Sequence, residues 1–303
     1  MNDPLARKVL HTCLFLICHI VATAQGTPAD TLIWKRKLNF AINFNQAAFS
    51  SNWKAGGINS FGFNSMFNYQ ANYKEGRRSW DSDLDLSFGF VNNSGQGHRK
   101  TVDRLFFDTK YGYDINKNWA VFSSLTLLSQ FAKGYMYDDD NTSHLISAFF
   151  APAFITSAWG LEYHPVPYFK VRLAPFAPRL TIVRDSHRFT PSVGPTPYGV
   201  DSTETVRMEW LAFQAIAEFD KEVMPNVNLK WRYLMYANYE TFEPRTIDHR
   251  IDLDVIAKVN KFINVGLGGV LVYDYDQDSG VQISEFFSLG FLFNFQNYEE
   301  PKK

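Results

Sequence analysis

Cysteine is nearly absent from this chain of 303 residues, which contains only Cys13 and Cys18. Both lie within the first 24 residues. The remainder of the chain therefore has no thiol, which excludes disulfide bonds and thiolate metal sites there. Whatever structure this remainder forms must be held together by other interactions.

Long apolar runs and an excess of either charge are also missing. After residue 24 no apolar stretch approaches the roughly 20 residues that a membrane-spanning helix needs, so any crossing of a membrane must be made by strands. The 30 Lys and Arg residues are balanced by 31 Asp and Glu residues. This balance argues against a nucleic-acid partner.

Aromatic residues, in contrast, are abundant. The chain has 28 Phe, 15 Tyr and 7 Trp residues, yet its mean hydropathy is slightly negative, at −0.23. Many large apolar side chains are therefore diluted by polar residues along the whole sequence.

The N-terminus has the pattern of a secretion signal. Arg7 and Lys8 precede an apolar stretch that is followed by a small-residue motif ending at Ala24. This stretch of about 14 residues is too short to span a bilayer. The apolar residues directly before Cys18 fit a lipoprotein anchor poorly. We therefore predict a cleaved signal peptide over 1–24.

Apolar and polar residues alternate strictly in many segments, as expected of strands with two different faces. The clearest segment places Phe61, Phe63 and Phe67 on one face and asparagine, glycine or serine on the other. Most such segments are long enough to cross a bilayer at a tilt. The predicted strands are 37–49, 59–74, 79–92, 102–115, 119–132, 145–163, 168–184, 204–222, 226–240, 246–260, 262–275 and 281–296.

The connections between these segments alternate in length, as in outer-membrane barrels with short periplasmic turns and longer external loops. The predicted periplasmic turns are 75–78, 116–118, 164–167, 223–225 and the region of Lys261. The predicted external loops are 50–58, 93–101, 133–144, 185–203, 241–245 and 276–280. An even number of strands returns the C-terminus to the periplasm, where the N-terminus also lies.

These patterns predict an all-β protein, an antiparallel up-and-down transmembrane β-barrel of twelve strands in the cell outer membrane. A soluble barrel or sandwich is excluded because its closed core could not hold so many large apolar groups. The predicted partners are outer-membrane lipid and, during insertion, the barrel-assembly machinery. The predicted parts after the signal peptide are a periplasmic segment over 25–36, the barrel over 37–296 and a periplasmic tail over 297–303.

The polar faces of the predicted strands carry charges of both signs. The predicted lumen-lining charges are Asp81, Asp83, Asp85, Arg104, Asp108, Lys110, Lys230, Arg232, Arg250, Asp252 and Asp254. One interpretation is a selectivity lining for a polar or charged solute. The other is a salt-bridge network that fills a small barrel. The second is favoured, because mutually neutralised charges make a weak filter.

The sequence gives little support for a catalytic site. His144 and Ser147 are three residues apart, which places them on opposite faces of a strand, and His249 has no serine at a useful spacing. A hydrolase needs a nucleophile and a base within hydrogen-bond reach. We therefore predict no catalytic residues and no cofactor.

One acidic pattern resembles the spacing of a calcium loop. Asp274, Asp276, Asp278 and Glu285 occupy the ligand positions, but the glycine at Gly280 is one place too late and the predicted flanking elements are strands. A solvated acidic hairpin is the favoured interpretation. The run 138–140 is interpreted in the same way, although external acidic loops can share divalent ions with lipopolysaccharide.

Several segments resemble a known family. They are 49–60 (FSSNWKAGGINS), 79–81 (SWD), 99–103 (RKTVD), 130–135 (QFAKGY) and 180–183 (LTIV). Together they are similar to an uncharacterised outer-membrane β-barrel family of Bacteroidota, domain-of-unknown-function family 3078. The resemblance implies the location and the fold, and it implies no activity and no catalytic residues.

The first of these segments is predicted to form an external loop motif of Asn52, Trp53, Gly56 and Gly57. The glycines permit a tight turn with positive φ. Trp53 then anchors the loop at the membrane rim or packs within it, which is the favoured interpretation. Stacking on a sugar or a partner is the alternative.

Two classes of function are compatible with these features. The first is a pore or transporter for small polar solutes. The alternative is a non-conducting structural or binding barrel, for example one that is part of an envelope assembly. An outer-membrane hydrolase is a distant third.

Overall fold

The computed structural model describes residues 27–28, 33–50, 58–138, 142–260 and 263–299. Several predictions fall outside these residues. They are the signal peptide over 1–24, the loop motif of Asn52, Trp53, Gly56 and Gly57, residues 139–140 of the acidic run, the turn at Lys261 and the tail beyond residue 299.

Twelve strands form one closed ring in which each strand runs antiparallel to its neighbours. The strands are β1 (Trp34–Ala47), β2 (Ser60–Glu75), β3 (Arg78–Asn93), β4 (Gly97–Asp114), β5 (Trp119–Ser129), β6 (Ala153–Val166), β7 (Phe169–Phe176, continued by Arg179–Ile182), β8 (Val206–Glu209, continued by Ala212–Met224), β9 (Val227–Asn238), β10 (Asp248–Lys258), β11 (Ile263–Asp274) and β12 (Asp278–Gln296). Consecutive strands pair along the ring. Pairing of Gly290–Gln296 on β12 with Lys37–Asn43 on β1 closes it. The prediction of a twelve-stranded antiparallel barrel is confirmed.

One end of the barrel has only short turns. Glu75 pairs with Arg78 across a turn in which Gly76 has a φ of 54°, a left-handed conformation that glycine adopts without steric cost. At the opposite end, β3 and β4 extend further than predicted, so the loop expected over 93–101 is a tight turn at residues 94–96. The other connections at this end include the long segments between β5 and β6 and between β7 and β8.

The prediction of a strand over 145–163 is wrong for the first part of this range. Strand β6 begins only at Ala153, and Ser143–Ser147 instead pairs with Gly134–Tyr137 in a separate hairpin. Pro152 lies between the two elements and has no N–H to donate to a ladder. Apolar residues over 145–151 satisfy the strand pattern but pack into this hairpin and its surroundings.

A belt of exposed apolar side chains surrounds the ring. Ile283 and Phe287 on β12 are 73% and 72% exposed, and Leu125 and Leu267 are also exposed. Trp119 packs against Tyr163 at a ring-centroid distance of 4.8 Å near the end with short turns. A ring with no free strand edges, an apolar outer belt and aromatic residues at its rim is a transmembrane barrel of the outer-membrane type. In the described part of the chain, no helix is long and apolar enough to cross a membrane.

A compact cap lies at the end with the long loops. We define the cap as the hairpin of Gly134–Tyr137 and Ser143–Ser147 together with residues 183–205. Val183, Phe189 and Val200 are fully or almost fully buried and form its small core with Ala151. The Tyr198 hydroxyl donates to the carbonyl of Ile146, which joins the two parts.

The hairpin is fixed to the barrel wall by a polar cluster. The Asp103 carboxylate on β4 accepts from the backbone N–H groups of Phe131 (2.7 Å) and Ala132 (2.9 Å). The Lys100 ammonium donates to Asp103 at 2.9 Å and to the carbonyl of Ala132 at 3.0 Å. Two segments that carry the family resemblance, 99–103 and 130–135, therefore meet in space.

The alternating faces of β3 give a direct test of the barrel. Asp85 lines an interior cavity, whereas Leu86 pairs with Phe67 and Leu105 on the opposite face. We expect Leu86→Asp to impair assembly, because a carboxylate in the hydrocarbon costs roughly 1 kcal/mol or more near the midplane. The fraction of protein that migrates faster on gels when unheated measures assembly. Asp85→Asn is the control, and equal assembly of both variants would refute the assignment of faces.

Candidate functional site: the barrel lumen

The lumen is lined by the polar residues of the alternating strands, and many of their side chains meet across it. Arg104 on β4 contacts Asp252 on β10 at 3.3 Å, although these strands are not neighbours in the ring. Arg250 also binds Asp252, at 2.7 Å. Contacts of this kind are possible only when both side chains point inward.

The most buried charge of the lumen is Arg172 on β7, which is 3% exposed. Its guanidinium contacts Asp108 at 3.0 Å and Glu218 at 3.2 Å. Asp108 also accepts from the hydroxyl of Thr126 at 2.7 Å. A buried charge is tolerated only when it is paired and hydrogen-bonded. This cluster therefore ties β4, β7 and β8 together through the lumen.

A second cluster lies nearer the short-turn end. Lys110 on β4 contacts Glu162 on β6, and its ammonium lies 3.2 Å from Asp81. Lys170 contacts Glu218 at 2.9 Å and so connects this region with the Arg172 cluster.

Sequence reasoning missed several of the residues that complete these clusters. They are Glu162, Lys170, Arg172 and Glu218. The first three lie in predicted segments that prolines interrupt, and Glu218 lies in the less regular segment 204–222. Arg179, which pairs with Asp248 at 2.7 Å, was missed as well. The sequence did contain a signal for these lumen charges. Lys170 and Arg172 are two residues apart, as are Glu218 and Asp220. Charges at that spacing share one face of a strand.

The remaining predicted lumen charges line a common cavity of about 120 Å³. Asp83, Asp85 and Asp254 face Lys230 and Arg232 there, and Asn68 donates to Asp83 at 2.7 Å. All of the predicted lumen-lining charges thus lie in ion pairs or along cavities inside the barrel.

Five interior cavities form a chain along the barrel axis, because neighbouring cavities share wall residues. From the short-turn end they have volumes of about 310, 240, 120, 80 and 190 Å³. The first and second share Asp81, and the fourth and fifth share Arg179 and Asp248. The last of these cavities lies beneath the cap and is lined by Tyr198.

The third and fourth cavities, which are the two smallest of the five, meet at a junction. Both are lined by Arg104, Phe106, Arg232 and Asp252. The guanidinium groups of Arg104 and Arg232 lie 4.9 and 4.4 Å from the centre of the Phe106 ring. Stacking of cations on an aromatic face is favourable, and more so away from water. The Phe106 ring therefore contacts two arginine side chains at this junction.

The acidic residues of the calcium-like pattern do not converge on one point, although Asp274 and Asp276 line the same cavity. Asp276 pairs with Arg207 at 2.7 Å, Asp278 accepts from the N–H of Gly280, and Glu285 lies further along β12 opposite Gly269. Across the residues that the structure describes, no three metal-ligating side chains lie together.

The two histidines considered for catalysis have other contacts. His144 lies 2.8 Å from Asp138 in the cap, while Ser147 lies 3.4 Å from the Lys100 ammonium. His249 stacks on Tyr233, whose hydroxyl is 2.8 Å from its Nδ1 atom, on the outer face of β10.

The Arg172 cluster predicts an asymmetry in stability. Arg172→Met leaves Asp108 buried with only the Thr126 hydroxyl as a partner, and removing one member of a buried pair costs about 3–5 kcal/mol. Arg188→Met is the matched control, since Arg188 is exposed in the cap and its ion pair with Asp185 spans 3.8 Å; exposed pairs contribute at most about 1 kcal/mol. Urea titration of tryptophan fluorescence measures the free energy of unfolding. Equal losses in the two variants would contradict a stabilising role for the cluster.

Similar solved structures are membrane barrels of low sequence identity. An outer membrane channel from Pseudomonas putida F1 has 12% identity and a TM-score of 0.40, with 90% of this chain and 100% of that chain covered. The NanC porin has 6% identity and a TM-score of 0.39, with coverage of 84% and 98%. The translocator domain of the autotransporter NalP from Neisseria meningitidis has 9% identity and a TM-score of 0.34, with coverage of 95% and 97%. No curated protein matches the chain.

The sequence also matches a family model. The family is described as a protein of unknown function, DUF3078, and the match covers residues 44–135. Four of the five segments that carry the resemblance lie inside this range, and only 180–183 lies beyond it. The predicted resemblance is thus confirmed over residues 44–135, where the chain carries the pattern of the DUF3078 family.

Proposed function

We propose that this protein is an outer-membrane channel for small polar solutes. The observation that carries the proposal is the chain of five cavities along the lumen, each of which shares wall residues with the next. A barrel that served only as a scaffold needs no such series of adjoining cavities lined by charged side chains.

The residues that line the lumen favour polar solutes and do not strongly prefer either sign of charge. Carboxylates and basic groups alternate along the cavities, as in the contacts of Lys110 with Asp81 and of Arg104 with Asp252. Rings of one charge sign select ions of the opposite sign. A lining of paired charges instead offers hydrogen-bonding groups of both kinds to a neutral or zwitterionic solute.

The junction at Phe106 controls passage in this proposal. The Arg104 and Asp252 side chains bridge the lumen at that level, so a solute passes only when these side chains swing aside. The lumen therefore acts as a narrow channel with a central gate formed by side chains.

A non-conducting barrel is the second candidate, and two observations favour it. The cap lies over the mouth, where Arg207 contacts Asp276 and the carbonyl of Gly199 in the cap. Ion pairs also cross the middle of the lumen. A hydrolase has less support, because in the described part of the chain neither His144 nor His249 lies with a serine and an orienting carboxylate.

The location and orientation are part of the same proposal. The apolar belt and the short turns at one end support an outer-membrane barrel with both termini in the periplasm. Outer-membrane lipid and the barrel-assembly machinery remain the proposed partners, and the predicted signal peptide over 1–24 would direct export.

Planar-bilayer recording tests this function. We expect stable conductance steps that rise by roughly twofold in Phe106→Ala, because the change removes a large side chain from the junction where Arg104 and Asp252 bridge the lumen. Leu105→Ala removes apolar volume from the neighbouring position on the lipid face and should leave conductance unchanged. Asp83→Asn and Arg104→Ala should shift ion selectivity in opposite directions. A folded protein that gives no conductance steps would support the non-conducting barrel.

A further inference from the structure

The pairing that closes the ring joins only part of the two strands involved. Every strand has a neighbour on both sides, but β1 and β12 pair over seven residues alone, from Lys37 with Gln296 to Asn43 with Gly290. Toward the long-loop end, and within the described part of the chain, Phe44–Ala47 pairs only with β2 and residues 282–289 pair only with β11. Both strands therefore continue without pairing with each other. We call 44–47 on β1 and 286–289 on β12 the two sides of the gap.

The gap lies at the depth of the membrane. Its outward side chains Phe44, Phe287 and Leu289 are 56%, 72% and 57% exposed and belong to the apolar belt. The seven pairs below the gap are also fewer than the roughly 9–11 residues with which a tilted strand crosses a bilayer. Unpaired backbone groups are costly at this depth unless they line a cavity or find a polar partner. The gap therefore favours a molecule that brings polar groups to it.

A row of inward-facing asparagines crosses the wall at the foot of the gap. Asn264 on β11 pairs with Gly290 on β12, Gly290 pairs with Asn43 on β1, and Asn43 pairs with Asn64 on β2. A Cβ atom on Gly290 would lie 1.9 Å from the Oδ1 atom of Asn43, so glycine leaves room for the Asn43 side chain to reach across the seam. We call Asn43, Asn64 and Asn264 the asparagine row.

The side-chain oxygens of the asparagine row have no hydrogen-bond donors. In the described part of the chain, the Oδ1 atoms of Asn43, Asn64 and Asn264 are all buried and all without a partner. Asn43 and Asn264 are each only 6% exposed. A buried carbonyl oxygen without a donor is destabilising. Three such oxygens in one row point to a ligand that supplies O–H or N–H groups.

The surroundings of the asparagine row favour an uncharged ligand. The inward positions two residues above or below the row are neutral wherever the structure describes them, as at Ala41, Asn45 and Ser288. The ion pairs of Arg172 and Lys110 instead involve strands β3, β4, β6, β7 and β8. A charged group would lose its hydration at the row without gaining an opposite charge.

We propose that the barrel wall opens between β1 and β12 and admits a neutral amphiphile from the membrane. Hydroxyl or amide groups of its head donate to the asparagine row, and its apolar chain lies against Phe44, Phe287 and Leu289. Opening at this place breaks no pairing between strands, because the two sides of the gap are not paired. This lateral site goes beyond the proposed channel function, since it requires no conduction along the barrel axis.

Fluorescence quenching in vesicles tests whether lipid reaches the inner face of the wall through the gap. Residues 25–303 contain no cysteine, so a single cysteine can be introduced and labelled with bimane. The vesicles consist of dioleoylphosphatidylcholine with a fraction that carries a nitroxide on the acyl chain. We expect Ser288→Cys, inward at the gap, to be quenched at least about twofold more than Asn294→Cys, which is inward on the paired part of β12. Leu289→Cys on the outer face gives the quenching of full lipid exposure.

A second pair of probes tests the head group. A nitroxide-labelled stearoyl monoacylglycerol carries two hydroxyl donors, and the methyl ester of the same acid carries none. In unlabelled vesicles, we expect the monoacylglycerol to quench the label at position 288 about threefold more than the ester does, because only its hydroxyls can donate to the asparagine row. Asn43→Ala should reduce this preference by at least about half. Asn294→Ala, an inward asparagine outside the row, should leave the preference unchanged.

Heat-dependent gel migration verifies that every variant is folded. Equal quenching at positions 288 and 294 would overturn the proposal, whether the two strands close on each other or another chain fills the gap. Equal quenching by the monoacylglycerol and the ester, or an unchanged preference in Asn43→Ala, would overturn the role of the asparagine row. Absence of conductance in the bilayer experiment would leave the lateral site intact, because the two measurements are independent.

Discussion

Every backbone N–H and C=O group in a hydrocarbon layer needs a partner within the protein, and this requirement dictates the rest of the structure. Strands satisfy it only when the sheet closes, which here depends on the seven-residue pairing of Gly290–Gln296 with Lys37–Asn43. Closure fixes one face of each strand toward lipid and the other toward the lumen. The same constraint explains why Phe61, Phe63 and Phe67 alternate with small polar residues in the sequence.

Closure also concentrates charges that lie far apart in the sequence. Arg172 and Asp108 are 64 residues apart and Arg104 and Asp252 are 148 apart, yet each pair lies within 3.3 Å. These groups are removed from bulk water, so their mutual attraction offsets a large desolvation cost. The interior charges therefore stabilise the barrel at the same time as they define the surface that a solute would meet.

The strands could be predicted from the sequence because alternation is a local property of neighbouring residues. The contacts between lumen charges could not, because which strands face each other depends on the number of strands and their stagger. Arg104 and Asp252 were both predicted to face the lumen, but nothing in the sequence indicated that they contact each other. The prediction of a strand over 145–152 was wrong for a different reason. The apolar residues of this segment pack in and around the core of the cap and do not form a membrane-facing strand.

The cap and the junction of the third and fourth cavities are two successive obstructions along the lumen, and they are built from different interactions. The junction consists of side chains around Phe106, whose rotation does not disturb the backbone ladder. The cap has its own buried core around Val183, Phe189 and Val200, and its attachment through Asp103 uses backbone hydrogen bonds. Displacing the cap would break all of these contacts together, so in the proposed channel a solute would move around the cap, through the cavity lined by Tyr198.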